Sequence, residues 1–155
     1  MIKILFVCHG NICRSPMAEY MMKDMVKYRQ IDALFRIDSA AATTEEIGHD
    51  IHSGAKAKMD AVGIPYEKRH ARQVTLSDYE YYDYIIAMDD ENVRDMERIF
   101  GPDTAHKIHK LLEFAGQSRN VADPWYTGDF DTTYDDLLLG ISSLLKSLKE
   151  ERKAG

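Results

Sequence analysis

Short, nearly continuous apolar runs alternate along the chain with longer stretches of helical spacing. Residues 2–7 (IKILFV) form the first run and break off into a polar loop, which predicts a buried strand. Ser15-Pro16 then opens a stretch in which Ala18, Met21, Met22, Met25 and Val26 recur at helical spacing. Serine suits the N-cap and proline the first helical position. Residues 35–39 (FRIDS) predict a second strand. Residues 52–62 predict a helix that stops at Gly63, a residue suited to the left-handed cap position. The apolar run at residues 84–88 (YIIAM) predicts a third strand, and residues 92–100 a helix ended by Gly101-Pro102. Tyr79, Tyr81, Tyr82 and Tyr84 read as an amphipathic turn leading into that third strand. Residues 107–112 predict a fourth strand. Leu137, Leu138, Ile141, Leu144, Leu145 and Leu148 give the last helix its continuous apolar face. Strands with apolar cores alternating with helices predict an α/β fold around a parallel sheet, one domain over residues 1–155. In such sheets ligands sit at the carboxyl ends of the strands.

Composition narrows the function. The 155 residues carry 20 Lys and Arg against 26 Asp and Glu, a formal charge of −6, which argues against a protein that neutralises nucleic-acid phosphates over a broad basic face. No apolar run approaches the roughly 20 residues of a membrane span, and the first strand lacks the cleavage site of a signal peptide. A reducing cytoplasm is therefore the expected setting. The two cysteines, Cys8 and Cys13, are too few for a disulfide framework and would remain free thiols there.

Both cysteines fall in the loop that follows the first strand, Cys8-His9-Gly10-Asn11-Ile12-Cys13-Arg14-Ser15-Pro16. A loop running from a buried strand into a helix N-terminus offers free backbone N–H groups and the positive end of a helix dipole, a site for an anion. The same field favours a thiolate, which makes Cys8 the candidate nucleophile. Arg14 adds a planar fork of donors able to bind two phosphoryl oxygens and to stay charged throughout a displacement. Amides plus one guanidinium stabilise the charge spread over a transferring phosphoryl group, so the chemistry calls for no metal and no cofactor. Gly10 is expected to let the loop turn tightly, Asn11 to fix it through its side-chain amide, and Ser15 to cap the helix and donate to the Cys8 sulfur. A nucleotide-binding P-loop is excluded because the Gly-Lys-Ser/Thr ending is missing. Cys8, His9 and Cys13 make a poor zinc site, with only three candidate ligands.

These residues resemble the low-molecular-weight protein tyrosine phosphatases. The signature loop at residues 8–16 is followed in order by Asp38-Ser39-Ala40, Ala71-Arg72-Gln73, Ala87-Met88-Asp89 and Asp123-Pro124-Trp125-Tyr126, so the likeness spans nearly the whole chain. It implies a four-stranded parallel sheet flanked by helices on both faces and a two-step hydrolysis of phosphotyrosine through a phosphocysteine. The partners it implies are phosphotyrosine-containing proteins, with inorganic phosphate as product. A monomer or weak dimer is expected. By the same resemblance Asp123 is the general acid and then the base that activates water, and Asn11, Ser15, Ser39 and Cys13 support the site. His9, Gly10, Ile12, Trp125 and Tyr126 meet the substrate, and Cys13 is the redox partner of Cys8.

Chemistry supports the assignment of the acid. A phenolate leaving group, whose conjugate acid has a pKa near 10, departs readily only if a proton arrives as the bond breaks. Pro124 biases Asp123 away from helix and presents it on an extended segment. Trp125 and Tyr126 suit a slot deep enough for a phenyl ring, beyond the reach of phosphoserine. Asp89 reads as a loop-supporting carboxylate. Two departures from the family stand out. Residues 40–48 (AAATTEEIG) place no aromatic residue on the wall after the second strand, and Arg69 occupies the position of a frequent histidine, leaving Arg69 or His70 as the support. A protein-arginine phosphatase is the nearest alternative, although such members carry threonine where Ile12 stands. Arsenate reductases of similar fold use further, distant cysteines that this chain lacks. A non-hydrolytic phosphate-binding module or phosphocysteine carrier would have no need of Asp123.

Overall fold

The computed structural model describes residues 1–154, with side chains through residue 151. Four parallel strands, β1 (Ile2–Cys8), β2 (Phe35–Ala41), β3 (Tyr84–Ala87) and β4 (Ile108–Lys110), lie in the order β2-β1-β3-β4. The chain leaves β1 to build β2 on one side and returns to add β3 and β4 on the other. Neighbouring connections therefore diverge at the carboxyl ends of β1 and β3, the crevice where such sheets place their ligands.

The pleat of β1 divides the interior in two. Ile4, Phe6 and Cys8 face the larger core, made with α1 (Arg14–Tyr28), α2 (Ser53–Val62) and α6 (Phe130–Ala154). Leu5 and Val7 face a smaller core with Tyr82 and Ile85, covered by α3 (Leu76–Tyr81) and α4 (Asp90–Phe100). A strand buried on both faces has no polar alternation, which is why β1 reads as one continuous apolar run. The expected α/β sheet with helices on both faces is what the chain forms. No helix among the described residues is long and apolar enough to cross a membrane.

Several boundaries differ from expectation for local reasons. Helix α1 begins at Arg14, with Cys13 at the N-cap, so Ser15 lies inside the first turn and does not cap it. Its hydroxyl is engaged instead with Asn11 and the Cys8 sulfur. The fourth strand is three residues long instead of six, because the Lys110 N–H is taken by the Glu113 carboxylate and the chain turns into a 3₁₀ helix over Leu111–Ala115. Leu111 and Leu112 are thereby buried in the larger core instead of extending the sheet edge. The tyrosine-rich turn is a helix, α3, opened by a reciprocal capping box between Thr75 and Asp78. Tyr79 and Tyr82 donate their hydroxyls to Asp103 and Asp38, and Tyr84 to Glu151.

Gly140, in the middle of α6, shows how tightly the 3₁₀ segment seats. A Cβ there would lie 2.4 Å from Cγ of the fully buried Leu111. Alanine gains about 1 kcal/mol of helix propensity over glycine, yet overpacking a filled core costs about 1–3 kcal/mol. Gly140→Ala is therefore expected to lower stability by about 1 kcal/mol despite the better helix former, read as a lower urea midpoint at unchanged slope. A raised midpoint would contradict the close approach of Gly140 to Leu111.

Candidate active site

The loop between β1 and α1 is built around a residue in a strained conformation. Asn11 is fully buried and has φ of 59°, a left-handed backbone that asparagine tolerates better than most side chains. The turn expected at Gly10 thus falls on Asn11. Gly10 contributes differently, since a Cβ at that position would meet Cγ of Glu46 at 2.9 Å and displace that side chain. The Asn11 amide donates to Ser15 Oγ at 2.8 Å and to Ser39 Oγ at 3.0 Å, tying the loop to the first turn of α1 and to β2. Ser39 in turn donates to Glu19, a buried carboxylate of α1 that also pairs with Lys23. Nothing in the sequence singles out Glu19, because an acid followed four residues later by a lysine reads as an ordinary surface pair.

This network ends on the candidate nucleophile. Ser15 Oγ accepts from Asn11 and lies 3.0 Å from Cys8 Sγ, so its proton is free to point at sulfur; its other acceptor, the Ala40 carbonyl, is farther, at 3.4 Å. The Ser15 backbone N–H also points at Sγ, at 3.4 Å. Cys13 is different: burial first, then the neighbouring Cys8, pushes its thiol pKa up to about 12. Both cysteines are free and buried. From His9 through Arg14 no backbone N–H has an acceptor among the described residues, an arrangement that a mostly buried loop sustains at a cost unless an anion completes it.

Arg14 is only 2% exposed. Its guanidinium donates to Asp89 at 2.8 Å, to the Val121 carbonyl at 3.2 Å and to Asp123 at 3.3 Å. Burial by itself would lower its pKa, but the charges of Cys8, Asp123 and Asp89 outweigh that effect and raise it, so the group stays cationic. Asp89 splits its carboxylate: one oxygen caps α4 through the Asn92 N–H and the other holds Arg14. That geometry fits the loop-supporting reading.

Asp123 is extended, with φ −92° and ψ 111°, as Pro124 requires. The segment after it is not extended, however; Pro124–Thr127 form a helical turn, α5, with Asp123 as its N-cap accepting from the Trp125 N–H at 3.0 Å. Together these elements enclose a cavity of about 590 Å³ lined by Cys8, Arg14, Asp89, Asp123, Ile12 and Trp125, among others. Trp125 and Tyr126 are 65% and 84% exposed, so they stand at the rim of the cavity and not as deep walls.

On the opposite rim the wall without an aromatic residue is supplied by charge. His9 Nε2 lies 2.7 Å from Glu45 and Nδ1 lies 3.9 Å from Glu91. Burial alone would lower the His9 pKa, but the bond to Glu45 and the charges of Glu45, Glu91 and Asp95 raise it. His9, Glu91 and Asp95 are the one set of described residues with metal-ligand spacing, within 4.8 Å of one another. It includes neither cysteine. His70 bonds the Gly48 carbonyl, and Arg69 reaches only the His49 carbonyl at 3.5 Å. Neither joins the Asn11, Ser15 and Ser39 network among the described residues, whose outer end is Glu19.

Comparison with known proteins places the chain in a family. The family model of low molecular weight phosphotyrosine protein phosphatases matches residues 3–154. The chain is 37% identical over 155 residues, 99% of each chain, to the low molecular weight protein-tyrosine-phosphatase YfkJ of Bacillus subtilis. The crystal structure of YfkJ superposes with a TM-score of 0.92 over 97% of this chain and 96% of that one. A Drosophila arginine phosphatase of known structure is 28% identical, with a TM-score of 0.86 over 96% and 98% of the two chains. Matched along almost its full length, the chain belongs to the low molecular weight phosphotyrosine protein phosphatase family.

Proposed function

We propose that the protein is a protein tyrosine phosphatase that hydrolyses phosphotyrosine through a phosphocysteine on Cys8. The observation that carries this reading is the convergence on Cys8 Sγ of the Ser15 hydroxyl and amide, beside unpaired loop N–H groups and the buried Arg14 fork. Such a cradle stabilises negative charge on equatorial phosphoryl oxygens without reorganising as the reaction proceeds.

In the first step the Cys8 thiolate attacks phosphorus, forming an S–P bond while the bond from phosphorus to the tyrosyl oxygen breaks. Asp123, as the neutral acid, passes its proton to the departing phenolate oxygen. Ser15, by donating to Sγ, also stabilises the thiolate when the S–P bond later breaks. Arg14 contacts Asp89 more closely than Asp123, so an incoming phosphoryl group exchanges with Asp123 while Asp89 keeps the fork in place. In the second step the Asp123 carboxylate takes a proton from water, whose oxygen attacks phosphorus and releases inorganic phosphate and the thiolate. Ile12, half-buried on the cavity lining, offers an apolar contact to an aryl ring and favours phosphotyrosine over phosphoarginine. Oxidation of Cys8 by peroxide to a sulfenic acid, followed by attack of the Cys13 sulfur with loss of water, gives a reversible disulfide that protects the nucleophile.

Cys8→Ser is expected to lower p-nitrophenyl phosphate turnover by at least about 10³-fold, with inorganic phosphate still binding. Asp123→Asn is expected to cost about 10²–10⁴-fold on a phosphotyrosine peptide. Full turnover by Cys8→Ser would sink the covalent mechanism, and an unchanged rate in Asp123→Asn would remove the acid. Faster cleavage of phosphoarginine than phosphotyrosine peptides would reassign the substrate. Because the Cys13 thiol is pushed up to about 12, it stays protonated at neutral pH. Iodoacetate should therefore carboxymethylate Cys8 alone, with phosphate protecting it, as read by peptide mass spectrometry; preferential labelling of Cys13 would contradict the site chemistry.

A further inference from the structure

His52 takes no part in the phosphate cradle, yet it touches three of the elements around it. Its backbone N–H donates to the Ile12 carbonyl of the signature loop at 2.8 Å. Its ring Nδ1 accepts the Gly54 N–H at 3.0 Å and caps α2, which leaves Nε2 to carry the ring proton. One face of the ring stacks on Phe130, with centroids 5.8 Å apart and planes 18° from parallel. The ring of Trp125 meets it edge-on, with centroids 6.1 Å apart and planes at 76°.

These contacts form a chain from the core to the acid. Phe130 opens α6 and packs against the larger core, so it is a fixed base for the imidazole. Gly54 keeps that stacking possible, since a Cβ there would lie 2.4–2.5 Å from the Phe130 ring. Trp125 is largely exposed, and among the described residues His52 is its one aromatic partner. The Trp125 backbone N–H in turn donates to Asp123 Oδ1, setting which carboxylate oxygen remains for Arg14 and the leaving group. Aromatic rings in contact favour particular mutual orientations, so the imidazole biases how the largely exposed Trp125 ring, and the turn that carries it, is set.

We propose that His52 is a positioning residue for the acid-bearing turn: its ring, fixed by Phe130, backs Trp125 and so aims Asp123 at the leaving-group oxygen above Cys8. The inference rests on the reading of Asp123 as general acid and adds a residue to that machinery that does not itself touch substrate.

The test uses the sensitivity of acid catalysis to the leaving group. Phenyl phosphate needs a proton on its leaving oxygen, whereas 2,4-dinitrophenyl phosphate needs almost none. His52→Asn keeps an N-cap acceptor and removes the ring; His52→Phe keeps a ring and removes the acceptor. In His52→Asn, kcat/KM for phenyl phosphate is expected to fall about 10-fold, a part of the roughly 10²–10⁴ that a general acid supplies, with less than about a twofold change on the dinitrophenyl ester. His52→Phe should keep the wild-type ratio between the two esters. Trp125 is the only tryptophan, so its fluorescence reports the turn directly, and acrylamide quenching should rise in His52→Asn but not in His52→Phe. Equal losses on both esters, no loss on phenyl phosphate, unchanged quenching, or a ratio in His52→Phe matching that of His52→Asn would each overturn the proposal. Asp123→Asn is measured alongside. If it shows no leaving-group dependence, the acid assignment itself fails; if it does and His52→Asn does not, only the role of His52 fails.

Discussion

Everything in the candidate site depends on one buried amide. Asn11 holds a left-handed backbone conformation inside the protein, where few side chains are tolerated, and spends both amide protons on the hydroxyls of Ser15 and Ser39. Those bonds fix the loop against α1 and β2 at once. They also settle the direction of the Ser15 hydroxyl, which must accept from Asn11 and is thereby free to donate to Cys8. A loop held this way keeps its own N–H groups unpaired and presents them to an anion. The cost of that desolvated polarity is offset by the packing of β1, buried on both faces, and of α1 beneath it.

Electrostatics follow from that geometry and run against the overall charge. The chain is acidic, at −6, yet its cavity has a cationic floor made of Arg14, free amides and a helix start. Asp89 and Asp123 steady the guanidinium from two sides without equal grip, and the tighter bond belongs to the residue that also caps α4. The arginine is thus anchored to a rigid helix end, while the candidate acid sits on a short turn near the surface. Rigid charge and adjustable acid are the two properties that a displacement at phosphorus with later attack by water demands. The acidic rim, where His9 stands between Glu45 and Glu91, replaces an aromatic wall with a charged one.

Much of this was legible in the chain. Continuous apolar runs marked the strands because a doubly covered sheet removes polar alternation, and the spacing of Cys8, Arg14 and Ser15 after the first run marked an anion loop. The exceptions are residues whose local preference is overruled by tertiary contacts. Ser15 is a good N-cap by itself, but the sulfur of Cys8 and the amide of Asn11 claim its hydroxyl, and the helix begins two residues earlier. Residues 107–112 looked like a strand until Glu113 took the Lys110 N–H and turned Leu111 into the core. Gly10 seemed the place for the turn, while the positive φ belongs to Asn11.

The sequence by itself determined the order of elements, the loop that carries Cys8 and Arg14, and an extended Asp123 before a proline, because each depends on neighbours within a few positions. Only the tertiary structure decided what those groups face. Ser39 of β2 accepts from Asn11 and donates to Glu19, Asp89 reaches Arg14 from 75 residues away, and His52 joins Trp125 and Phe130 on separate segments. Such pairings carry no local signal: they arise when β1 and β3 come side by side and three helices close over one face. Burial then turns ordinary polar residues into a directed network, since in a low-dielectric interior each donor must find its acceptor.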